Sequence, residues 1–145
     1  MGALTEDVHF TQRIEFPAKA ENLALAEKLI DEACKQYKVP EALYGNILIA
    51  LTEAVNNAIH HGNQLDPSKQ VQLAYAVKDN KVTFLVVDEG AGFDYEHLPD
   101  PTDPQNIEKP HGRGVFLMRA LADSVEFTDN GASVAMTFSL TAPKE

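Results

Sequence analysis

At 145 residues, 44% hydrophobic and 23% charged, the chain has the balance of an ordinary soluble globule, and one domain over residues 1–145 is the expectation. Its formal net charge of -10 argues against a protein that lives on phosphate backbones, which needs clustered Lys and Arg, so nucleic acid is not an expected partner. A lone Cys34 forms no internal disulfide, no apolar stretch reaches membrane-spanning length, and the opening MGALTEDVHF carries neither a secretory leader nor, with Glu6 in place of Ser or Thr, a myristoylation signal; the expected setting is cytoplasmic, with no membrane partner.

In chain order, VHFTQRIEF alternates loosely and is rich in β-formers, which predicts a strand from Val8 to Phe16 that Pro17 stops. From Ala18 to Tyr37 the apolar residues fall at helical spacing, Val39-Pro40 breaks the pattern, and a second, longer helix runs from Glu41 to Gly62, read as its C′ residue. QVQLAYAV and KVTFLVVD are strands joined through Lys78, Asp79 and Asn80, a short polar link of hairpin type. Between Gly92 and Gly112, Pro99, Pro101, Pro104 and Pro110 alternate with Asp94, Glu96, Asp100, Asp103 and Glu108, a pattern that reads as a mobile loop. GVFLMRALA then predicts a short helix, and SVEFTD and ASVAMTFSL a second hairpin across Asn130-Gly131. The order β-α-α-β-β-loop-α-β-β predicts an α+β two-layer sandwich rather than a doubly wound parallel sheet.

Three constellations carry chemistry. At about 100° per residue the long helix sets Leu43, Ile47, Leu51, Ala54, Val55 and Ala58 on one arc and Asn46, Glu53, Asn57 and His60 on a stripe opposite. That stripe is either a solvated face or a site in which Glu53 serves as general base and Asn57, one turn on, offers its amide oxygen to a hard cation such as Mg²⁺. His60 and His61 read as capping or packing residues rather than metal ligands. Next, Asp88 closes a strand and is followed by Gly90 and Gly92. This is either a glycine-rich turn or a place where backbone approaches a ligand while the carboxylate accepts from an amino group. Third, Gly112, Arg113 and Gly114 stand at a helix start, where free N–H groups and the helix dipole favour an anion such as phosphate; the plain alternative is a flexible loop-to-helix turn. No G-x-x-x-x-G-K-[ST] is present, so phosphate binding here does without a P-loop.

Taken in this order, EAVNNAIHHGN, DEGAGF and HGRGVFLMRAL resemble the N, G1 and G2 boxes of the GHKL ATPase family, to which gyrase and the histidine kinases belong. The short form, with a proline-rich segment joining the last two boxes, is similar to the anti-sigma-factor serine kinases of bacterial partner-switching systems. The resemblance implies the two-layer GHKL (Bergerat) fold, a mixed, mostly antiparallel sheet with helices on one face. It also implies an ATP- and Mg²⁺-dependent serine/threonine-protein kinase. Glu53 matches the glutamate that activates the attacking hydroxyl and Asn57 the asparagine that holds Mg²⁺. Asp88 matches the aspartate that accepts the adenine amino group, with Gly90 and Gly92 beside the base. Gly112, Arg113 and Gly114 match the segment that closes on the phosphates, and the proline-rich loop matches the ATP lid. The family often carries Thr near the last hairpin, where this chain reads NGASV and Ser133 is the nearest hydroxyl; His60 has no counterpart role.

With only Val8 to Tyr37 before the long helix, the expectation is a kinase acting in trans on a small STAS-like anti-sigma-factor antagonist, with a sigma factor as competing partner and a homodimer as the assembly. Two other readings use the same site: a nucleotide-switched binding module without turnover, and the stand-alone ATP-binding module of a two-component system.

Overall fold

The computed structural model of the chain describes residues 10–96 and 110–140. Most of the proline-rich loop, residues 97–109, and the expected strand start at Val8 lie outside the described residues.

Strand β1 (Gln12–Pro17) turns Phe16 into the core and ends on Pro17, whose missing N–H is harmless at the last position of an edge strand. A 3₁₀ turn (Ala20–Asn22) precedes helix α1 (Leu23–Gln36), so the regular helix begins later than its apolar spacing suggests. Ala26, Leu29, Ile30, Ala33 and Cys34 form its buried face. The helix ends in a Schellman motif: Lys38 takes φ 53°, its N–H donates to Lys35 O at 3.3 Å, and Val39 N–H donates to Cys34 O at 2.9 Å.

Helix α2 (Glu41–Asn56) buries Leu43, Ile47, Leu51, Ala54 and Val55, the arc expected from the sequence. It does not run on to Gly62 as a regular α-helix. A π-helical turn spans Asn57–Gly62, closed by the Asn63 N–H donating to Ala58 O at 2.9 Å, a device that shifts the phase of the side chains beyond it.

Strands β2 (Gln70–Lys78) and β3 (Lys81–Val87) join through Asp79 and Asn80, both at positive φ (53° and 63°), as a two-residue type I′ hairpin requires. Helix α3 (Pro110–Leu121) starts before the expected Gly114, with Pro110 in the position where a missing N–H costs nothing. Strands β4 (Ser124–Thr128) and β5 (Ser133–Ser139) are linked by a 3₁₀ turn at Asp129–Gly131 rather than a bare two-residue turn. The five-stranded sheet has the order β1-β2-β3-β5-β4. Every pairing among the described residues is antiparallel, so the sheet expected to be mixed is antiparallel there. Alternate residues Leu73, Tyr75, Val82, Phe84, Met136 and Phe138 share one core with the buried side chains of the helices. The result is one layer of helix on one layer of sheet.

Candidate functional site

The segments that carried chemistry in the sequence meet at the end of the sheet where β3 stops and β5 begins. Asn57, His61 and Gly62 from the π turn, Asp88 from the end of β3, Gly92 and Phe93 beyond it, Met118 of α3, Phe127 of β4, and Gly131, Ala132 and Val134 at the start of β5 line a cleft open to solvent. Its apolar wall is braced from behind. Phe93 meets Phe127 edge-on at 5.6 Å, Tyr95 stacks on Phe127 at 4.9 Å, and the Arg119 guanidinium lies 5.8 Å from the same ring, geometries that favour both aromatic pairing and a cation over a ring.

Asp88 is held from several sides. Its N–H donates to Ala132 O at 2.9 Å and its Oδ1 accepts the Gly90 N–H at 2.7 Å. Burial pushes the carboxyl above the ordinary aspartate range, with the Gly90 N–H and Lys69 opposing. The carboxylate is packed against Gly62. A Cβ placed there would lie 2.3 Å from Asp88 Oδ2, and one on Gly90 would lie 2.1 Å from Gly62 O. Gly62 is therefore glycine for want of space. It is not among the glycines at positive φ, so the C′ reading of this residue is corrected. Gly92 does sit at φ 87°, and a side chain there would strike Asn130 O at 2.0 Å.

Asn57 lines the same cleft, and its Nδ2 is buried with no hydrogen-bond partner among the described residues. Burying such a group unmatched is costly, which points to something that completes it. Glu53 precedes it by one helical turn. Gly114 of α3 roofs both: a Cβ there would stand 2.9 Å from Asn57 Nδ2 and 3.2 Å from Glu53 Oε1. A carboxylate beside a side-chain amide is a donor set suited to a hard cation or a phosphate oxygen. Rotation of the Asn57 amide presents either its NH₂ to a phosphate oxygen or its oxygen to a metal. Gly112 and Arg113 lie in the first turn of α3, where backbone N–H groups lack helical acceptors; Arg113 is exposed and is not part of the cleft wall.

The phase shift of the π turn decides between the histidines. His61, not His60, lines the cleft with Asn57, so the stripe drawn for a regular helix through His60 is corrected. Partial desolvation, then the neighbouring His60, pull the His61 ring below its ordinary value. At the last hairpin Ala132 and Val134 face the cleft, while Ser133, buried at 3% exposure, is on the alternate side of its strand. The hydroxyl sought in Ser133 is thus not on the cleft wall. Sequence reasoning missed Phe93, Met118 and Phe127; an apolar cleft residue follows the same period as a core residue, and no local signal separates them.

The family model of the histidine kinase-like ATPase domain matches residues 16–138. The serine-protein kinase RsbW of Oceanobacillus iheyensis is 23% identical over 138 residues, covering 91% of this chain and 87% of that protein. The serine-protein kinase RsbW of Bacillus cereus is 26% identical over 131 residues, covering 86% and 81%. Among solved structures, that of the RsbU and RsbW domains of Rv1364c from Mycobacterium tuberculosis is similar at TM-score 0.65 and 18% identity over 93% of this chain, a likeness of fold. This chain spans 34% of the length of that structure.

Proposed function

Because this chain belongs to the histidine kinase-like ATPase family, we propose that it is an ATP-dependent serine/threonine-protein kinase acting as an anti-sigma factor in a partner-switching system. Its substrate is a serine or threonine of a small STAS-like antagonist protein, a sigma factor competes for it, and it works as a cytoplasmic homodimer. The observation that carries the reading is the Asn57 Nδ2, buried and without a hydrogen-bond partner among the described residues, close to Glu53 beneath Gly114. Relatives named serine-protein kinase RsbW support it, as does the net charge of -10, which suits a protein partner better than a nucleic acid.

The residues divide the work. Asp88 accepts a hydrogen bond from the adenine amino group, and Gly90 and Gly92 leave the backbone bare where the base approaches. Asn57 is the side chain that would hold Mg²⁺, whose charge would offset that of the phosphates. Gly112 and Arg113, in the first turn of α3, offer backbone N–H groups to the phosphates. Gly114 keeps α3 close above Glu53 and Asn57. Glu53 takes the proton of the attacking hydroxyl as general base. Mg²⁺ and ATP, when bound, supply the transferable phosphoryl group and the neutralisation of its charge.

The test is incubation of the protein with γ-labelled ATP, Mg²⁺ and a candidate antagonist from the same cell. Label on serine or threonine is the expected result. Label on histidine would mark the ATP-binding module of a two-component system, and tight ATP binding with no transfer would mark a nucleotide-switched binding module; either result overturns the kinase reading.

A further inference from the structure

Asn63 is fully buried, at 0% exposure, and has no part in the reading above. Both ends of its carboxamide are engaged. Nδ2 donates to Gln70 O at 2.9 Å, and Oδ1 accepts the Glu89 N–H at 2.8 Å. The Gln70 N–H in turn donates to Glu89 Oε2 at 2.5 Å. These bonds close a ring joining the residue after the π turn, the first residue of β2 and the residue after Asp88.

The ring matters because of where it grips. Three successive N–H groups fix the turn below β3: that of Asp88 on Ala132 O, that of Glu89 on Asn63 Oδ1, and that of Gly90 on Asp88 Oδ1. The first ties Asp88 to β5 and the third is internal to the turn. Only the second ties the turn to the helical segment that carries Asn57 and Gly62. Without it the Glu89 N–H loses its acceptor and the Asp88–Glu89 peptide is free to rotate. The Asp88 carboxylate, wedged between Gly62 and Gly90, moves with it.

We propose that Asn63 is a positioning residue for base recognition: by holding the Glu89 amide it sets the Asp88 carboxylate on the cleft wall at a fixed offset from Asn57. The role rests on Asp88 reading the adenine amino group. Its experimental signature is selective, since a displaced Asp88 weakens a base that offers an amino hydrogen and leaves a base without one nearly untouched.

The experiment measures equilibrium binding of ATP and of ITP, which carries an oxygen in place of the amino group, to the full chain with Mg²⁺. The wild type is expected to prefer ATP by about tenfold or more, the scale of one hydrogen bond to a charged group. Asn63→Ala is expected to lose most of that preference by weakening ATP about tenfold while ITP changes by less than about threefold. If Asn63→Ala weakens both nucleotides equally and keeps the wild-type ratio, Asn63 is a structural residue only and the proposal fails. A wild type with no preference removes the adenine role of Asp88 before any variant is made, and the role of Asn63 with it. Should Asn63→Ala not fold, hydrogen exchange in the wild type decides: a protected Glu89 amide supports the grip, and exchange at the rate of an open turn overturns it.

Discussion

Replacing Gly62 with alanine puts a methyl group against Asp88, the residue proposed to read the base. The new Cβ would stand 2.3 Å from Asp88 Oδ2, 2.4 Å from Cγ and 2.7 Å from Oδ1. Carbon needs about 3.5 Å for comfortable contact, so the carboxylate must withdraw by about 1 Å. Retreat of the main chain is blocked, because Gly62 and Gly90 already touch: a Cβ on Gly90 would meet Gly62 O at 2.1 Å. A hydrogen bond of about 2.9 Å stretched by that much passes the limit of a hydrogen bond. Losing one to a charged acceptor costs about 1.5–3 kcal/mol, which is about 10- to 150-fold in ATP affinity. Gly62 lies in a helical segment without positive φ, and alanine is the better helix former, so the fold survives. Calorimetric titration of ATP with Mg²⁺, alongside a thermal melt, reads both effects. An ATP affinity within about twofold of wild type at an unchanged Tm would refute the reasoning.

Asp88→Asn is expected to abolish ATP binding and to raise the Tm of the nucleotide-free protein. Burial raises the Asp88 carboxyl in the folded state, so its contribution to stability is complete below the unfolded-state value and is lost as pH rises through the folded-state value; melts across the acid range should show that loss in wild type and not in the variant. Glu53→Gln keeps the shape and removes the base, so phosphoryl transfer should fall by about 10²- to 10⁴-fold while ATP affinity stays within about twofold, as single-turnover transfer and titration together would show. Gly114→Val drives a branched side chain into the cradle where even a Cβ stands 2.9 Å from Asn57 Nδ2, and ATP binding with Mg²⁺ should weaken more than binding in excess EDTA. Ile47→Ala, at a fully buried position of α2, should cost about 2–5 kcal/mol in urea unfolding.

The elements were legible wherever a period had room to show itself. The arc from Leu43 to Val55 and the alternation through Leu73 and Tyr75 are patterns of burial, and the buried residues fall on them. Departures come where backbone hydrogen bonding overrides the period. The π turn at Asn57–Gly62 exchanges His60 for His61 at the cleft, and nothing in HHGN announces a wider turn. Gly62 was visible as a glycine but not for its reason, since space against the carboxylate of Asp88, 26 residues further along the chain, is a tertiary fact. Ser133 and Val134 differ only in which side of a strand they take, and that follows from the pairing of Val87 with Ser133, which no local residue encodes. Glu53, Asn57 and Asp88 could be singled out because polar groups in mid-helix or at a strand end are poorly explained by stability alone. Asn63 was lost among the loop residues because its value lies wholly in its partners.

The pairing of β3 with β5 also bears on how the chain becomes competent. Val87 lies opposite Ser133, and the Asp88 N–H is bonded to Ala132 O, so the far wall of the cleft is contributed by the last strand of the sheet. Synthesis runs from the N-terminus. A nascent chain that has already formed α2, β2 and β3 holds Glu53, Asn57 and Asp88 but lacks Ala132, Val134 and the Phe127 wall. Any ligand of this cleft therefore recognises the finished sheet and stabilises it by mass action, making occupancy of the cleft a report that the final hairpin has docked.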